Sequence, residues 1–403
     1  MLVLVVVATL LLVFASCDML MEETGDGSGG GDDGGSQALE TDDFESNNSR
    51  TEAVQIERET DVYATVAPVD DVDWYMVHSA NSNVWDWVSF DVKNVDETIE
   101  IEMAVYDQDG NEVFTANPGT AGANLSETMS TLGGSFYVRI ASTFSGDTGA
   151  YTLNVRNLDM NDQYAPNDTR PNAHDLGTLP VSGIDGMIVS SSEEDWFQFT
   201  TSNDGVWDYV QLEATNVADT MEIFMAVYNA DGNEVFTAHP GTAGANLSHM
   251  LVTSGGTYTV KLTSNFGGDW GSYTLAVQNQ DANDSYEPND ERSSAHALGA
   301  LPFTILGTVI WSPPDEDWYS FTAVSGNTMT VEVSGVGQDL EPVMRLEDQA
   351  GNSYTYTGST GAGFTVTTDD MSTISPVDGE TYYIRMIGNF SGDHGDYTLA
   401  VSQ

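Results

Sequence analysis

Asp73-Trp74-Tyr75 returns as Asp195-Trp196-Phe197 and again as Asp317-Trp318-Tyr319, 195 − 73 = 122 and 317 − 195 = 122 residues apart. The surrounding sequence returns with it. Gly110-Asn111-Glu112-Val113-Phe114-Thr115-Ala116 recurs as Gly232-Asn233-Glu234-Val235-Phe236-Thr237-Ala238, and the run from Pro118 to Ser126 recurs unchanged from Pro240 to Ser248. Gly149-Ala150-Tyr151-Thr152-Leu153 reappears as Gly271-Ser272-Tyr273-Thr274-Leu275 and as Gly395-Asp396-Tyr397-Thr398-Leu399. The 403 residues are therefore one unit written three times, the third copy more diverged than the first two. At roughly 100 to 150 residues per domain, the length suits three compact units behind an N-terminal extension. A catalytic centre has no reason to be written three times, so repetition points to a binding, spacing or scaffolding protein.

Within each copy the pattern is that of strands. Tyr258-Thr259-Val260-Lys261-Leu262 and Tyr383-Ile384-Arg385-Met386-Ile387 alternate apolar with polar or outward residues, and no long stretch repeats its apolar residues at helical intervals. Asp109-Gly110-Asn111 and Asp231-Gly232-Asn233 are hairpin turns, because Asp-Gly tolerates the positive φ such turns need. Asp107-Gln108-Asp109-Gly110-Asn111 resembles part of an EF-hand loop but lacks the closing glutamate, and is read as a hairpin. Several short strands per copy predict an all-β chain of three tandem antiparallel β-sandwich domains, at 44–158, 164–279 and 286–403. Asp159-Met160-Asn161-Asp162 and Asp281-Ala282-Asn283-Asp284 are the short acidic linkers between them.

The N-terminus reads differently. Leu2 to Phe14 is an almost unbroken apolar run, too short for the ~20 residues of a spanning helix and of signal-peptide length. It ends in Phe14-Ala15-Ser16-Cys17, which resembles the lipobox of bacterial lipoproteins. Residues 1–16 are then a lipoprotein signal peptide, and Cys17, the sole cysteine, is the acylated residue that anchors the chain to a membrane on its extracytoplasmic side, in the cell envelope. Residues 17–43, rich in Gly, Ser, Asp and Glu, cannot bury a core and form a flexible tether. With one cysteine no intramolecular disulfide is available to staple the domains. The formal net charge of −53 excludes nucleic acid and anionic lipid as partners and makes cations the natural counterpart. An acidic surface suited to a saline habitat accounts for the same excess.

The third copy runs from Tyr286-Glu287-Pro288-Asn289-Asp290 through Asp315-Glu316-Asp317-Trp318-Tyr319-Ser320-Phe321 to Tyr382-Tyr383-Ile384-Arg385 and Gly395-Asp396-Tyr397-Thr398-Leu399. That succession resembles the bacterial pre-peptidase C-terminal domain family, over nearly all of each copy. The resemblance implies jelly-roll-like β-sandwiches, accessory modules that often trail secreted peptidases. It also implies calcium, because the related collagen-binding domains of clostridial collagenases hold that ion through an acidic N-terminal segment. Calcium takes six to eight oxygen ligands, which two separate segments can supply. In the third copy these are Glu287, Asn289 and Asp290 with Asp315 and Asp317; in the second, Asn167 and Asp168 with Glu193 and Asp195, Ala165 standing where the third has Glu287. In the first they are Glu45, Asn47 and Asn48 with Asp70, Asp71 and Asp73. The third copy is thus expected to bind best and the second worst. The same residues also suit turns and caps that bond nearby backbone N–H groups.

Exposed aromatic faces would suit glycan rings. Trp85 and Trp87 align with Trp207 and Tyr209 and, carried forward by a further 122 residues, with Met329 and Val331, which favours the core. Trp270 has Thr148 and His394 as counterparts, a mixture expected at a solvated tip, and is the aromatic to test as a ligand contact. The six histidines form no His-Glu-x-x-His pattern and no Gly-x-Ser-x-Gly elbow occurs, so the chain reads as a non-enzyme. The reading is a membrane-anchored lipoprotein displaying calcium-supported modules that bind or space. A polysaccharide- or matrix-protein-binding receptor for an extracellular polymer, an accessory module of a secreted hydrolase system and a plain structural stalk are the alternatives.

Overall fold

The computed structural model describes residues 42–403 apart from 81, 82, 204, 325, 372 and 373. The leader, Cys17 and nearly all of the tether lie outside the described residues. Each copy has nine strands in one order. In the first they are β1 (Val54–Gln55), β2 (Val62–Val66), β3 (Val72–His78), β4 (Asp86–Lys93), β5 (Ile101–Tyr106), β6 (Glu112–Ala116), β7 (Leu125–Thr131), β8 (Ser135–Ser142) and β9 (Gly149–Leu158). They form a five-stranded sheet, β1-β3-β8-β5-β6, and a four-stranded sheet, β2-β9-β4-β7, and the other two copies repeat both orders to give six sheets. No α-helix occurs among the described residues.

The all-β fold agrees with the sequence, with one correction to the antiparallel pairing. β1 runs parallel to β3, as His174–Thr178 does to Asp195–Thr200 and His296–Ala300 to Asp317–Thr322. The chain leaves β1, crosses to the other sheet as β2 and returns as β3, so both strands of the first sheet run the same way.

Alternation decides what each strand buries. In β3, Asp73, Tyr75 and Val77 are buried while Val72, Trp74 and Met76 are less so. Tyr75, Ile101, Met103 and Val138 from one sheet meet Phe90, Val92, Leu153 and Val155 from the other in a single core, and each further copy has a core of its own. Each such side chain contributes about 1.5–3 kcal/mol on burial. The Asp-Gly turn is a hairpin joining β5 to β6, in which Asp107 accepts the backbone N–H groups of Asp109 and Asn111 at 2.9 and 2.8 Å.

The pairing register overturns one alignment. Asp73, Asp195 and Asp317 lie opposite Ile140, Leu262 and Met386. On the second sheet Phe90, Leu212 and Val331 lie opposite Val155, Val277 and Val401. From the Asp to that second strand the first two copies count 90 − 73 = 17 and 212 − 195 = 17 residues, and the third 331 − 317 = 14. The third copy is three residues shorter there, so Trp87 and Tyr209 match Thr328, not the buried Val331. The core assignment of Trp87 fails accordingly. It lies half-buried where the first copy meets the second, its indole Nε1 donating to the Val189 carbonyl at 2.7 Å and its ring edge-on to Trp270 at 4.7 Å.

The linkers are pinned at both ends. Asp86 accepts the N–H of Met160 at 3.0 Å, and Asp208 that of Ala282 at 3.2 Å. Asp162 and Asp284 then accept the N–H groups of Met187 and Thr308 in the following copy, both at 2.9 Å.

Candidate metal centre

Period-two alternation puts the repeated Asp on the same inward face as the aromatic two residues on, so a carboxylate enters the sandwich beside Tyr75, Phe197 or Tyr319. The intervening Trp points the other way. In the second and third copies its indole donates to Glu194 and Glu316 at 2.9 and 3.0 Å. Asp73, Asp195 and Asp317 are buried, and each accepts a hydrogen bond from the tyrosine of the Gly-x-Tyr-Thr-Leu repeat: Tyr151 at 2.7 Å, Tyr273 at 2.6 Å and Tyr397 at 2.6 Å. The two most faithful repeats of the sequence are therefore halves of one buried pair that ties β3 to β9 across the sandwich. A second tyrosine joins in the outer copies, with Tyr75 2.9 Å from Tyr151 and Tyr319 2.9 Å from Tyr397. Burial holds the Tyr151 and Tyr397 phenols far above their usual range, so they remain donors. The glycine of that repeat lets the ninth strand pass close to the connection between the fourth and fifth strands. At Gly271, whose φ is +156°, a Cβ would stand 2.5 Å from that of Ala218.

The leading segment of each copy lies along the start of the Asp-Trp strand, because the carbonyls of Asn47, Asn167 and Asn289 accept the N–H groups of Trp74, Trp196 and Trp318 at 2.9, 3.0 and 2.9 Å. Two acidic segments are thereby brought together. Carboxylate oxygens of Glu45, Asp71 and Asp73 come within 4.8 Å of one another, as do those of Asp284, Glu287 and Asp317. Asn47 is fully buried with both amide atoms unpartnered, and Glu45 Oε1, Asp73 Oδ1 and Asp317 Oδ1 are buried without a partner as well. Asn289 brings its amide to 2.8 and 3.1 Å from the two Glu287 oxygens. With nitrogen inward it donates to both; with oxygen inward it adds a ligand to the same set.

The acids crowd each other in a medium that disfavours charge. Burial, opposed by the Tyr151 hydrogen bond and helped by Asp71 and Asp42, pushes Asp73 up to about 7. Burial likewise lifts Glu287 to about 7, with Asp290 and Asp284 adding to it. Asp317 is held well above the usual carboxylate range by burial first and then by Asp315 and Asp284. Glu45 is raised by burial and by Asp71. A hard divalent cation would reverse the sign of these effects. The donors are all oxygen, which suits calcium or magnesium and not the softer metals that seek His or Cys.

The expected residues do not all converge. Glu45, Asn47, Asp71 and Asp73 converge, as do Glu287, Asn289 and Asp317. Asn48, Asp168, Asp290 and Asp315 are close by. Asn48 accepts the Val72 N–H at 3.4 Å, Asp290 that of Glu316 at 3.4 Å, and Asp315 is buried beside Asp317. Asp70 turns away, exposed and bonded by Ser145 at 2.7 Å. In the second copy Ala165 replaces the third carboxylate, and no trio forms among the described residues. Glu193 and Asp195 are buried there with Asn167. Burial and then Asp195 push Glu193 up to about 9, and its Oε2 accepts the Val189 N–H at 2.5 Å. Trp270 is half-buried against Trp87.

Asp284 is the clustered carboxylate that sequence reasoning missed, set aside as linker. The signal was present: Asp42, Asp162 and Asp284 each stand two residues before the aromatic that opens a copy, Phe44, Tyr164 or Tyr286.

No family model matches the chain. Over 106 residues it is 28% identical to a probable subtilase-type serine protease of Deinococcus radiodurans, a stretch covering 26% of this chain and 14% of that protease. The chain thus spans about a seventh of that relative's length. Among solved structures it is similar to the pre-peptidase C-terminal domain of collagenase from Bacillus anthracis, with a TM-score of 0.23 and 17% identity over 26% of this chain and 94% of that one. It is also similar to an N-terminal tandem CBM22 domain from Paenibacillus barcinonensis, with a TM-score of 0.18 and 11% identity over 60% of this chain and 98% of that one.

Proposed function

We propose that this chain is a non-catalytic, extracytoplasmic array of three β-sandwich modules, calcium-supported in its first and third copies and anchored to a bacterial membrane by acylation of Cys17, that binds or spaces other components of the cell envelope. One observation carries the metal reading. Buried oxygen donors converge from two segments in those copies, several without a hydrogen-bond partner, in a chain with no disulfide to secure the same segments. Glu45, Asn47, Asp71 and Asp73 would hold one ion, and Asp284, Glu287, Asn289 and Asp317 the other, with Asp290 at the rim and Asp315 buried alongside. The bound cation would neutralise the clustered carboxylates and fasten each leading segment to its sandwich. Sites of this kind, sealed beneath paired tyrosines and present in more than one copy, support a structural role over a reactive one.

A ligand that binds only the folded state raises its stability in proportion to the logarithm of concentration over Kd. Melting temperature should therefore rise with calcium and fall with a chelator. An unchanged melt across millimolar calcium would sink the metal reading. Anchoring is tested separately, since Cys17→Ala should release the protein from the membrane fraction.

A further inference from the structure

The loop between the eighth and ninth strands reads Ser142-Thr143-Phe144-Ser145-Gly146-Asp147, then Ser264-Asn265-Phe266-Gly267-Gly268-Asp269, then Gly388-Asn389-Phe390-Ser391-Gly392-Asp393. Its other repeated members shape the turn. Asp147, Asp269 and Asp393 donate their N–H groups to the phenylalanine carbonyls at 3.4, 3.3 and 3.1 Å. Gly146, Gly268 and Gly392 take φ values of +101°, +93° and +93°, which other residues rarely adopt. Asn265 and Asn389 donate to Glu222 and Glu341 at 2.9 and 2.7 Å. The phenylalanine rings take no part in this. They belong to none of the three cores and stand 58%, 58% and 60% exposed.

Backbone geometry explains the glycine and the aspartate but asks for no aromatic, yet the same exposed ring recurs at the same tip in a third copy that has diverged elsewhere. Single exposed apolar residues are ordinary; one repeated at an equivalent position in every module is a surface feature in need of a partner. Each loop also carries or binds carboxylates, Asp70 and Asp147 in the first copy, Asp269 in the second, and Glu341 and Asp393 in the third, whereas Glu222 is buried and already held by His239 and Asn265.

We propose that Phe144, Phe266 and Phe390 form a regularly repeated docking series for a basic polypeptide. Lys and Arg lay an apolar stem along a ring and present a cation to its face, while the neighbouring carboxylates complete the charge match. The net charge of −53 draws such a chain in and turns nucleic acid and anionic lipid away. Linkers bonded at both ends hold the tips in sequence, so successive contacts reinforce one another. This inference depends neither on calcium nor on Cys17.

The test titrates the full-length chain onto immobilised poly-L-arginine and compares it with a Phe144→Ser, Phe266→Ser, Phe390→Ser triple variant of the same net charge. The variant should melt with the wild type, its rings being exposed, and bind roughly tenfold more weakly. Phe→Trp at the three positions should retain binding. Equal binding by the serine variant would reduce the attraction to charge alone and overturn the proposal, as would an absence of binding by the wild type. Phenylalanine-dependent binding to phosphatidylcholine vesicles, with poly-arginine binding unaffected, would overturn it in favour of a membrane contact.

Discussion

At the scale of single residues, one carboxylate with a tyrosine beside it defines each module. Tyr397→Phe leaves Asp317 Oδ2 buried without its donor, and should cost about 1–3 kcal/mol in urea unfolding, with the fold retained. Asp73→Asn removes one of three crowded acids. In chelator it should raise the melting temperature, and in calcium it should weaken the stabilising response, because the neutral amide relieves the repulsion and makes a poorer ligand. Glu193 offers a pH test. Its folded-state value of about 9 exceeds the ordinary 4.5, so between those limits the native state binds the extra proton and stability falls as pH rises. Glu193→Gln should therefore flatten the decline in urea midpoint from about pH 6 to pH 9 measured in chelator, and a slope equal to wild type would refute the assignment.

At the scale of elements, the centre depends on an extended leading segment pinned to the start of a strand by a repeated carbonyl, that of Asn47, Asn167 or Asn289, with side chains such as Asn48 and Asp290 adding to it. The backbone arrangement is common to all three copies; the side chains on it differ. Ala165→Glu supplies the missing carboxylate of the second copy, and calorimetric titration should then count three calcium ions per chain against the two proposed for the wild type. A count that stays at two would show that the backbone frame and three acids are insufficient. The parallel first strand belongs to this scale too, since no local pattern in Val54–Gln55, His174–Thr178 or His296–Ala300 states the direction of a neighbour.

At the scale of the whole molecule, the copies are joined by side chains as well as by backbone. Trp87 reaches from the first copy to the Val189 carbonyl and the Trp270 ring of the second, and Asp86 and Asp162 hold the linker between them. Trp87→Ala should leave circular dichroism unchanged and broaden the distribution of distances between the first two modules in small-angle X-ray scattering. An unaltered scattering profile would mean that the linker bonds alone set the spacing.

Repetition, alternation and turn chemistry were enough to establish an all-β chain of repeated modules, because binary pattern and Asp-Gly turns act over a few residues. The acids of the centre were mostly legible for the same reason, since Asp73 and Asp317 belong to the repeated motif and Glu45 and Glu287 precede it by 73 − 45 = 28 and 317 − 287 = 30 residues. Three things were not. That the Asp of Asp-Trp-aromatic and the Tyr of Gly-x-Tyr-Thr-Leu are one hydrogen-bonded pair depends on two strands 397 − 317 = 80 residues apart facing each other across a sandwich. That Trp87 lies at a junction and not in a core depends on a three-residue deletion which only strand pairing locates. That Asp284 joins Asp317 while Asp70 turns away depends on where the leading segment docks. Local preference determines what each segment becomes, whereas burial and pairing between distant segments determine which side chains meet.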